Sequence, residues 1–139
     1  MQPIDNQAVV SWFDRMRLAG LIKLLREQPG KQEGLDALKD KLERARIIKP
    51  EEVPPSLVTM NSEVTLTDLD TGERLTLGVV FPAAADPAAG QISVLEPIGL
   101  ALLGSAEGAE LEWPVPGGKR RLRLVKVSFQ PEAAGIYNL

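Results

Sequence analysis

The 139-residue chain is predicted to be an α+β protein, with a short N-terminal antiparallel helical hairpin followed by a β-rich C-terminal domain. Three observations predict it. Two apolar seams at helical spacing occupy residues 11–47. The stretch Lys49-Pro50-Glu51-Glu52-Val53-Pro54-Pro55 then ends helical character, because proline lacks an N–H and clashes with the preceding turn. Beyond it, strand-type alternation punctuated by Gly and Pro replaces the helical spacing. The expected boundary divides residues 1–53, the hairpin, from residues 54–139, the β-rich domain.

The elements follow in order. Ala8-Val9-Val10 is short and β-branched and reads as extended. Ser11 is placed to cap a helix over residues 11–26, with Asp14 three positions on, where a capping box prefers Glu or Gln. Leu18, Leu21, Ile22 and Leu25 form one apolar face. Trp12, Phe13 and Met16 lie on another face, which fits a seam against the C-terminal module or a contact between two copies; the oligomeric state is not legible. Gln28-Pro29-Gly30 turns the chain. A second helix is expected over residues 35–47, with Leu35, Leu38, Leu42 and Ala45 at heptad-like, coiled-coil spacing. Two such seams joined by a short turn make a helical hairpin. Its polar outer faces are compatible with a hairpin packed flat on the rest or one that projects.

In the second half, residues 63–67 and 75–81 read as strands flanking Asp68-Leu69-Asp70-Thr71-Gly72-Glu73, a hairpin with a Gly-containing turn. Residues 83–90 are a small-residue loop. Residues 91–95 form a third strand. Pro97 opens a short helix that Gly104 ends, the usual placement of proline inside the start and glycine past the end. Residues 110–113 alternate as a strand. Pro116-Gly117-Gly118 turns into a long strand over residues 119–129, with Leu122 and Leu124 on one face and Val125 and Val127 on the other. The tail from Gln130 is irregular.

Composition excludes several chemistries. The chain has no cysteine and no histidine, which removes disulfides, Cys/His zinc sites and Cys–His or Ser–His nucleophile pairs. Aromatics make up 4% of residues, too few and too scattered for a base-stacking platform. The net charge of −3 argues against strong direct nucleic-acid binding. No long apolar run and no export signal are visible, so a cytoplasmic protein without a membrane span is expected.

Few motifs carry chemistry. Asp70-Thr71-Gly72 matches the aspartic-protease triplet, but that mechanism needs a second carboxylate of the same kind. No second copy exists, and the triplet sits where a hairpin must turn. Lys119-Arg120-Arg121 with Arg123 is the densest basic run. It could face phosphate, or it could pair with the acidic strand Glu110 to Glu112. Glu27, Glu33 and Asp36 lie at or near the hairpin tip. The tip offers no dense carboxylate cluster and contains Lys31, so no metal site is assigned there. No catalytic residue and no cofactor is assigned.

A resemblance enters through the C-terminal residues. Val64-Thr65-Leu66-Thr67-Asp68-Leu69-Asp70-Thr71-Gly72-Glu73 is followed in order by Ala85-Asp86-Pro87, Gly90-Gln91-Ile92-Ser93-Val94, Pro97-Ile98-Gly99 and Ala101-Leu102-Leu103-Gly104. Gly108-Ala109-Glu110 and Val115-Pro116-Gly117-Gly118 complete the series. Together these blocks resemble the C-terminal domain of the GreA/GreB transcript-cleavage factors. Val58-Thr59-Met60-Asn61-Ser62 and Gln130-Pro131-Glu132-Ala133-Ala134-Gly135-Ile136-Tyr137 resemble a short regulator related to them. The resemblance implies an FKBP-like domain carrying a coiled-coil finger, with RNA polymerase as the partner at its secondary channel. It places the polymerase contact near Pro97, Ile98 and Gly99, for which packing on the core is the alternative role. The tip, with Glu27, Lys31 and Glu33, shows no equivalent of the acidic pair that cleavage factors present. A non-enzymatic regulator that competes with such factors without stimulating cleavage is therefore expected. A cleavage-competent factor and an FKBP-like peptidyl-prolyl isomerase are the alternatives, and the isomerase would need an aromatic-lined pocket built from Phe81, Trp113, Phe129 and Tyr137.

Overall fold

The computed structural model describes residues 7–28 and 34–136. The chain runs β1 (Val9–Ser11), α1 (Trp12–Arg26), α2 (Leu35–Arg44), β2 (Arg46–Ile48), β3 (Glu63–Asp68), β4 (Arg74–Val80), β5 (Gln91–Ser93), α3 (Pro97–Leu102), β6 (Glu110–Val115) and β7 (Gly118–Phe129). The last five strands form one mixed sheet in the order β5-β4-β3-β7-β6. Only the β4–β5 pair is parallel within it.

Ser11 caps α1 as the sequence requires: its Oγ accepts the Asp14 N–H at 3.0 Å. The second helix is shorter than its apolar spacing suggests. It stops at Arg44, Ala45 turns extended, and Arg46–Ile48 pairs in parallel with Val9–Ser11. The reason is local. Ile47 and Ile48 are β-branched and stand just before Lys49-Pro50, where a helix cannot continue. The Arg46 N–H closes the junction on the Ala8 carbonyl at 2.8 Å.

The β3–β4 turn is built by Asp68. Its Oδ1 accepts the N–H groups of Asp70 and Thr71, an Asx turn completed by Gly72 at φ 76°. The long strand departs from simple alternation. Thr65 pairs with Lys126 but Leu66 with Leu124, so Val125 is an extra residue in β7. This bulge resets the pleat. Val127 joins Leu122 and Leu124 on the buried side, and Val125 is 41% exposed, which corrects the expectation that Val125 and Val127 share a face.

Val10, Leu18, Ile22, Leu35, Leu38 and Leu42 belong to the same buried cluster as Val64, Leu66, Val79, Ile98, Leu122 and Leu124. The apolar seams of α1 and α2 therefore bury against the sheet side of the molecule as well as each other. One core crosses the proline-rich stretch at residues 50–55.

Candidate functional site

The turn from β5 into α3 is held from both sides. Ile98 and Gly99 are buried, and a Cβ on Gly99 would lie 2.2 Å from the Ser93 carbonyl oxygen. Only glycine fits there. These two residues serve packing, and the exposed part of the turn is Glu96 and Pro97. From the helical side, Gly34 at the start of α2 adopts φ 85° directly against the Leu95 backbone, where a Cβ would stand 2.5 Å from the carbonyl oxygen. Two turns along α2, Lys41 donates to the carbonyls of Leu100 at 2.5 Å and Ala101 at 3.3 Å. A cation at these carbonyls satisfies acceptors at the end of α3. Helix α2 thus lies along the whole turn, from Leu95 to Ala101.

Lys41 also lines a cleft of about 740 Å³ between Gln7–Val9 and the loop of Gly104 to Glu110, with Ser56 and Leu57 on its wall. Its ammonium has no carboxylate partner among the described residues. Burial pulls its pKa from 10.5 down to about 8, since desolvation disfavours the charged form. The cleft's two carboxylates are engaged elsewhere: Glu107 accepts the Val127 N–H at 2.9 Å, and Glu110 pairs with Arg123 at 2.9 Å.

A second junction joins α1 to the loop before β3. The buried Asp14 carboxylate accepts the Met60 N–H at 3.0 Å and the Arg17 guanidinium at 2.7 Å. Arg17 lies 4.6 Å from the Phe13 ring centre and 5.0 Å from that of Phe81, so it links the helix to the sheet by cation–π contacts. Asn61, at φ 67°, turns the backbone so that the Met60 N–H is presented. The Thr59 hydroxyl donates to Glu132 at 2.7 Å, and burial pushes the Glu132 carboxyl up despite that bond. This network was not legible in the sequence; the signal, an Asp in the first turn of a helix, also fits an ordinary dipole contact. Of Trp12, Phe13 and Met16 on α1, Phe13 reaches inward through Arg17, whereas Trp12 and Met16 remain 55% and 50% exposed.

The basic run is neutralised. Lys119 pairs with Glu112, Arg121 with Asp70, Arg123 with Glu110, and Arg120 with both Asp68 and Glu73, all between 2.7 and 3.1 Å. Arg120 also covers Trp113, 5.8 Å from its ring centre. The Arg120 guanidinium, helped by the Asp70 N–H, holds the Asp68 carboxyl below its ordinary range. The pairing alternative accounts for this run, and no patch is left open for phosphate. The aspartic-protease triplet is the turn that Asp68 builds, with Asp70 tied to Arg121.

At the tip, Glu27 is exposed just past α1. Lys31 and Glu33 lie outside the described residues, as does Tyr137. Asp36 pairs with Arg26 at 2.5 Å, so the end of α1 meets the start of α2 there. Among the described residues, no group of three or more His, Cys, Asp or Glu side chains is placed to hold a metal ion. Phe81 and Trp113 are engaged by Arg17 and Arg120, and neither lines the cleft.

Helices packed on a five-stranded mixed sheet, with a Pro-Ile-Gly turn whose Ile98 and Gly99 are buried, define the class. The family profile for transcription elongation factor, GreA/GreB, C-terminal region, matches residues 39–129. The chain belongs to this family. Within it, the regulator of nucleoside diphosphate kinase from Escherichia coli K12 is 43% identical over 122 residues, spanning 85% of this chain and 89% of the relative. The transcription elongation factor GreA of Nitrobacter hamburgensis is 35% identical over 136 residues, covering 93% of this chain and 86% of that protein. A solved prokaryotic transcription elongation factor GreA/GreB from Nitrosomonas europaea superposes with a TM-score of 0.76 at 40% identity, over 88% of this chain and 99% of that one. These relatives are named as regulators or elongation factors, not as catalysts. No helix among the described residues is long and apolar enough to cross a membrane.

Proposed function

We propose that the protein is a transcription regulator that binds RNA polymerase at the secondary channel and competes there with Gre-type factors without stimulating transcript cleavage. The observation that carries this reading is the family match over residues 39–129, which takes in the whole sheet and the turn into α3. On that turn Glu96 and Pro97 are exposed and rigidly backed by α2, so the polymerase contact is assigned to Pro97 and its neighbour rather than to Ile98 or Gly99. An FKBP-like sheet domain carrying a short helical finger fits the mixed sheet and the Arg26–Asp36 meeting of the two helices.

The reading without cleavage is supported by the tip sequence, in which Glu27, Lys31 and Glu33 show no equivalent of the acidic pair that cleavage factors present. Cleavage support requires carboxylates free to hold a metal ion. Asp36 is paired with Arg26, and Glu27 stands exposed just past α1. The test uses core polymerase and a cleavage-competent GreA. The protein is expected to bind polymerase, to displace GreA, and to release no short 3′ RNA fragments from stalled complexes. Failure to bind overturns the reading, and fragment release moves the protein into the cleavage-competent group.

A further inference from the structure

We propose that the outer face of α1, together with the hollow it forms against α2, is a docking surface for an acidic amphipathic helix of a partner protein. Trp12, Met16, Gly20 and Leu24 recur every four residues and share one ridge of the helix. Trp12, Met16 and Leu24 are 55%, 50% and 57% exposed, and a Cβ on Gly20 would meet nothing within 4 Å. Single exposed apolar side chains are common, but a contiguous row of them marks an interaction site. Beside the row lies a hollow of about 170 Å³ between the two helices. Ile22 and Leu42, both buried, line its inner side, and Ala19 leaves it open toward solvent. An apolar space of about 150 Å³ takes a benzene ring, so the hollow has room for one leucine or phenylalanine side chain. Trp12, Arg15 and Ala19 follow one another at three and four residues, which joins the row and the hollow in one continuous surface.

Charge identifies the occupant. Arg15, Lys39 and Glu43 line the hollow, and Lys23 stands on α1 one turn beyond Ala19; all four are exposed. The other charges nearby are already used, Arg26 by Asp36 and Asp40 by Arg44. The surface thus offers three cations against one carboxylate, with Glu27 only at its far end. Among the described residues, none of the three cations enters an ion pair. A second copy of this chain does not fit, because a two-fold contact through this face sets α1 against α1. An antiparallel register centred on Ala19 brings Arg15 onto Lys23 of the other copy, and a parallel one brings Arg15 onto Arg15. Like charges across an interface are costly. A helix with leucine-type residues on one face and Glu or Asp on its flanks does fit. Its apolar ridge lies along Trp12 and Met16, one side chain enters the hollow, and its carboxylates reach Arg15, Lys39 and Lys23. A bilayer supplies anionic charge but no side chain to fill the hollow. From Trp12 to Lys23 the surface runs about 16 Å, some three turns of such a helix. It shares no residue with the turn at Glu96 and Pro97, so it stands or falls separately from the polymerase reading.

The experiment uses the full chain with Trp113→Phe, in which Trp12 is the one remaining tryptophan. The probe is a stapled helical peptide with leucines at i, i+4 and i+7 and glutamates on both flanks. Its counterpart carries lysines in place of the glutamates. The acidic peptide is expected to shift Trp12 emission to the blue and to bind about ten-fold more tightly than the basic one. Ala19→Met fills the hollow with a good helix former, and Arg15→Glu with Lys39→Glu reverses its rim. Each should weaken binding about ten-fold while the melting temperature holds. No binding of the acidic peptide overturns the proposal, as does equal binding of the two peptides or an unchanged affinity in both variants. A dimer of the chain alone that Ala19→Met abolishes assigns the face to a second copy and overturns it. Adsorption to phosphatidylglycerol vesicles that is tighter than peptide binding assigns the face to a lipid surface and overturns it too.

Discussion

Asp14 on α1 accepts the backbone N–H of Met60 at 3.0 Å, across 46 positions of sequence. The contact is buried and its second oxygen holds Arg17. Asp14→Ala leaves a buried N–H without an acceptor and removes the carboxylate from a guanidinium. Breaking a buried charged pair from one side is strongly destabilising, and a loss of about 3 kcal/mol is expected. Asp14→Asn keeps an acceptor for Met60 and should lose less. Urea unfolding of the three proteins gives the order; equal stability of Asp14→Ala and the parent would remove this junction's structural role.

Gly99→Ala is expected to destabilise by about 1–3 kcal/mol, because the new methyl meets a backbone carbonyl that has no rotamer to change. Gly20→Ala is the control. A Cβ at Gly20 meets nothing within 4 Å, and replacing a mid-helix glycine with alanine favours the helix by roughly 0.5–1 kcal/mol. Thermal melts should move in opposite directions.

Asp68 contributes to stability in a definite pH window. Its folded pKa lies below the unfolded value of 3.8, so its contribution is complete above that pH and disappears as the pH falls through the folded value. Asp68→Asn should lower the melting temperature at pH 7. The gap to the parent should close in acid. A gap that stays constant down to pH 2 would show that the charge is not the source.

Lys41 has a linkage of the same sign, in the alkaline range. Between its folded value of about 8 and the ordinary 10.5, the unfolded chain holds a proton that the folded chain has released, so stability rises with pH across that interval. Lys41→Met should abolish the rise. Hydrogen-ion uptake on unfolding at pH 9, measured by calorimetry in buffers of different ionisation enthalpy, checks the sign independently.

The exposed and buried halves of the turn into α3 should separate in function. Glu96→Lys with Pro97→Ala is expected to weaken polymerase binding about ten-fold while the melting temperature holds. Ile98→Ala should cost about 2–5 kcal/mol of stability through its cavity. If the surface pair binds polymerase as tightly as the parent, the contact lies elsewhere on the sheet.

Periodicity located most elements because each is governed by neighbours in sequence. Ser11 as a cap, the turn at Asp68 to Glu73, and the Pro97-to-Gly104 helix are local decisions, and local rules describe them. What escaped notice depended on distant partners. The end of α2 was set by a parallel pairing with Val9–Ser11. The face of Val127 was set by a bulge that appears only in the register with β3. The candidate site shows the same division. The basic run is plain in the sequence, yet its neutrality depends on Asp68, Asp70 and Glu73 arriving from another hairpin. Lys41 and Asp14 look like ordinary surface charges of amphipathic helices, and only the packed chain makes them half-buried and buried.

The continuity of the core has a consequence for the order in which the protein is made. Helices α1 and α2 leave the ribosome before the sheet, but Leu18, Leu35 and Leu38 belong to one buried cluster with Val64, Leu122 and Leu124. The acceptor for the Met60 N–H likewise waits for a loop not yet synthesised. Short isolated helices are marginal in water. The helical segment therefore waits for part of its core until β7 is complete, and a ribosome stalled before that strand holds a chain open to chaperones and proteases.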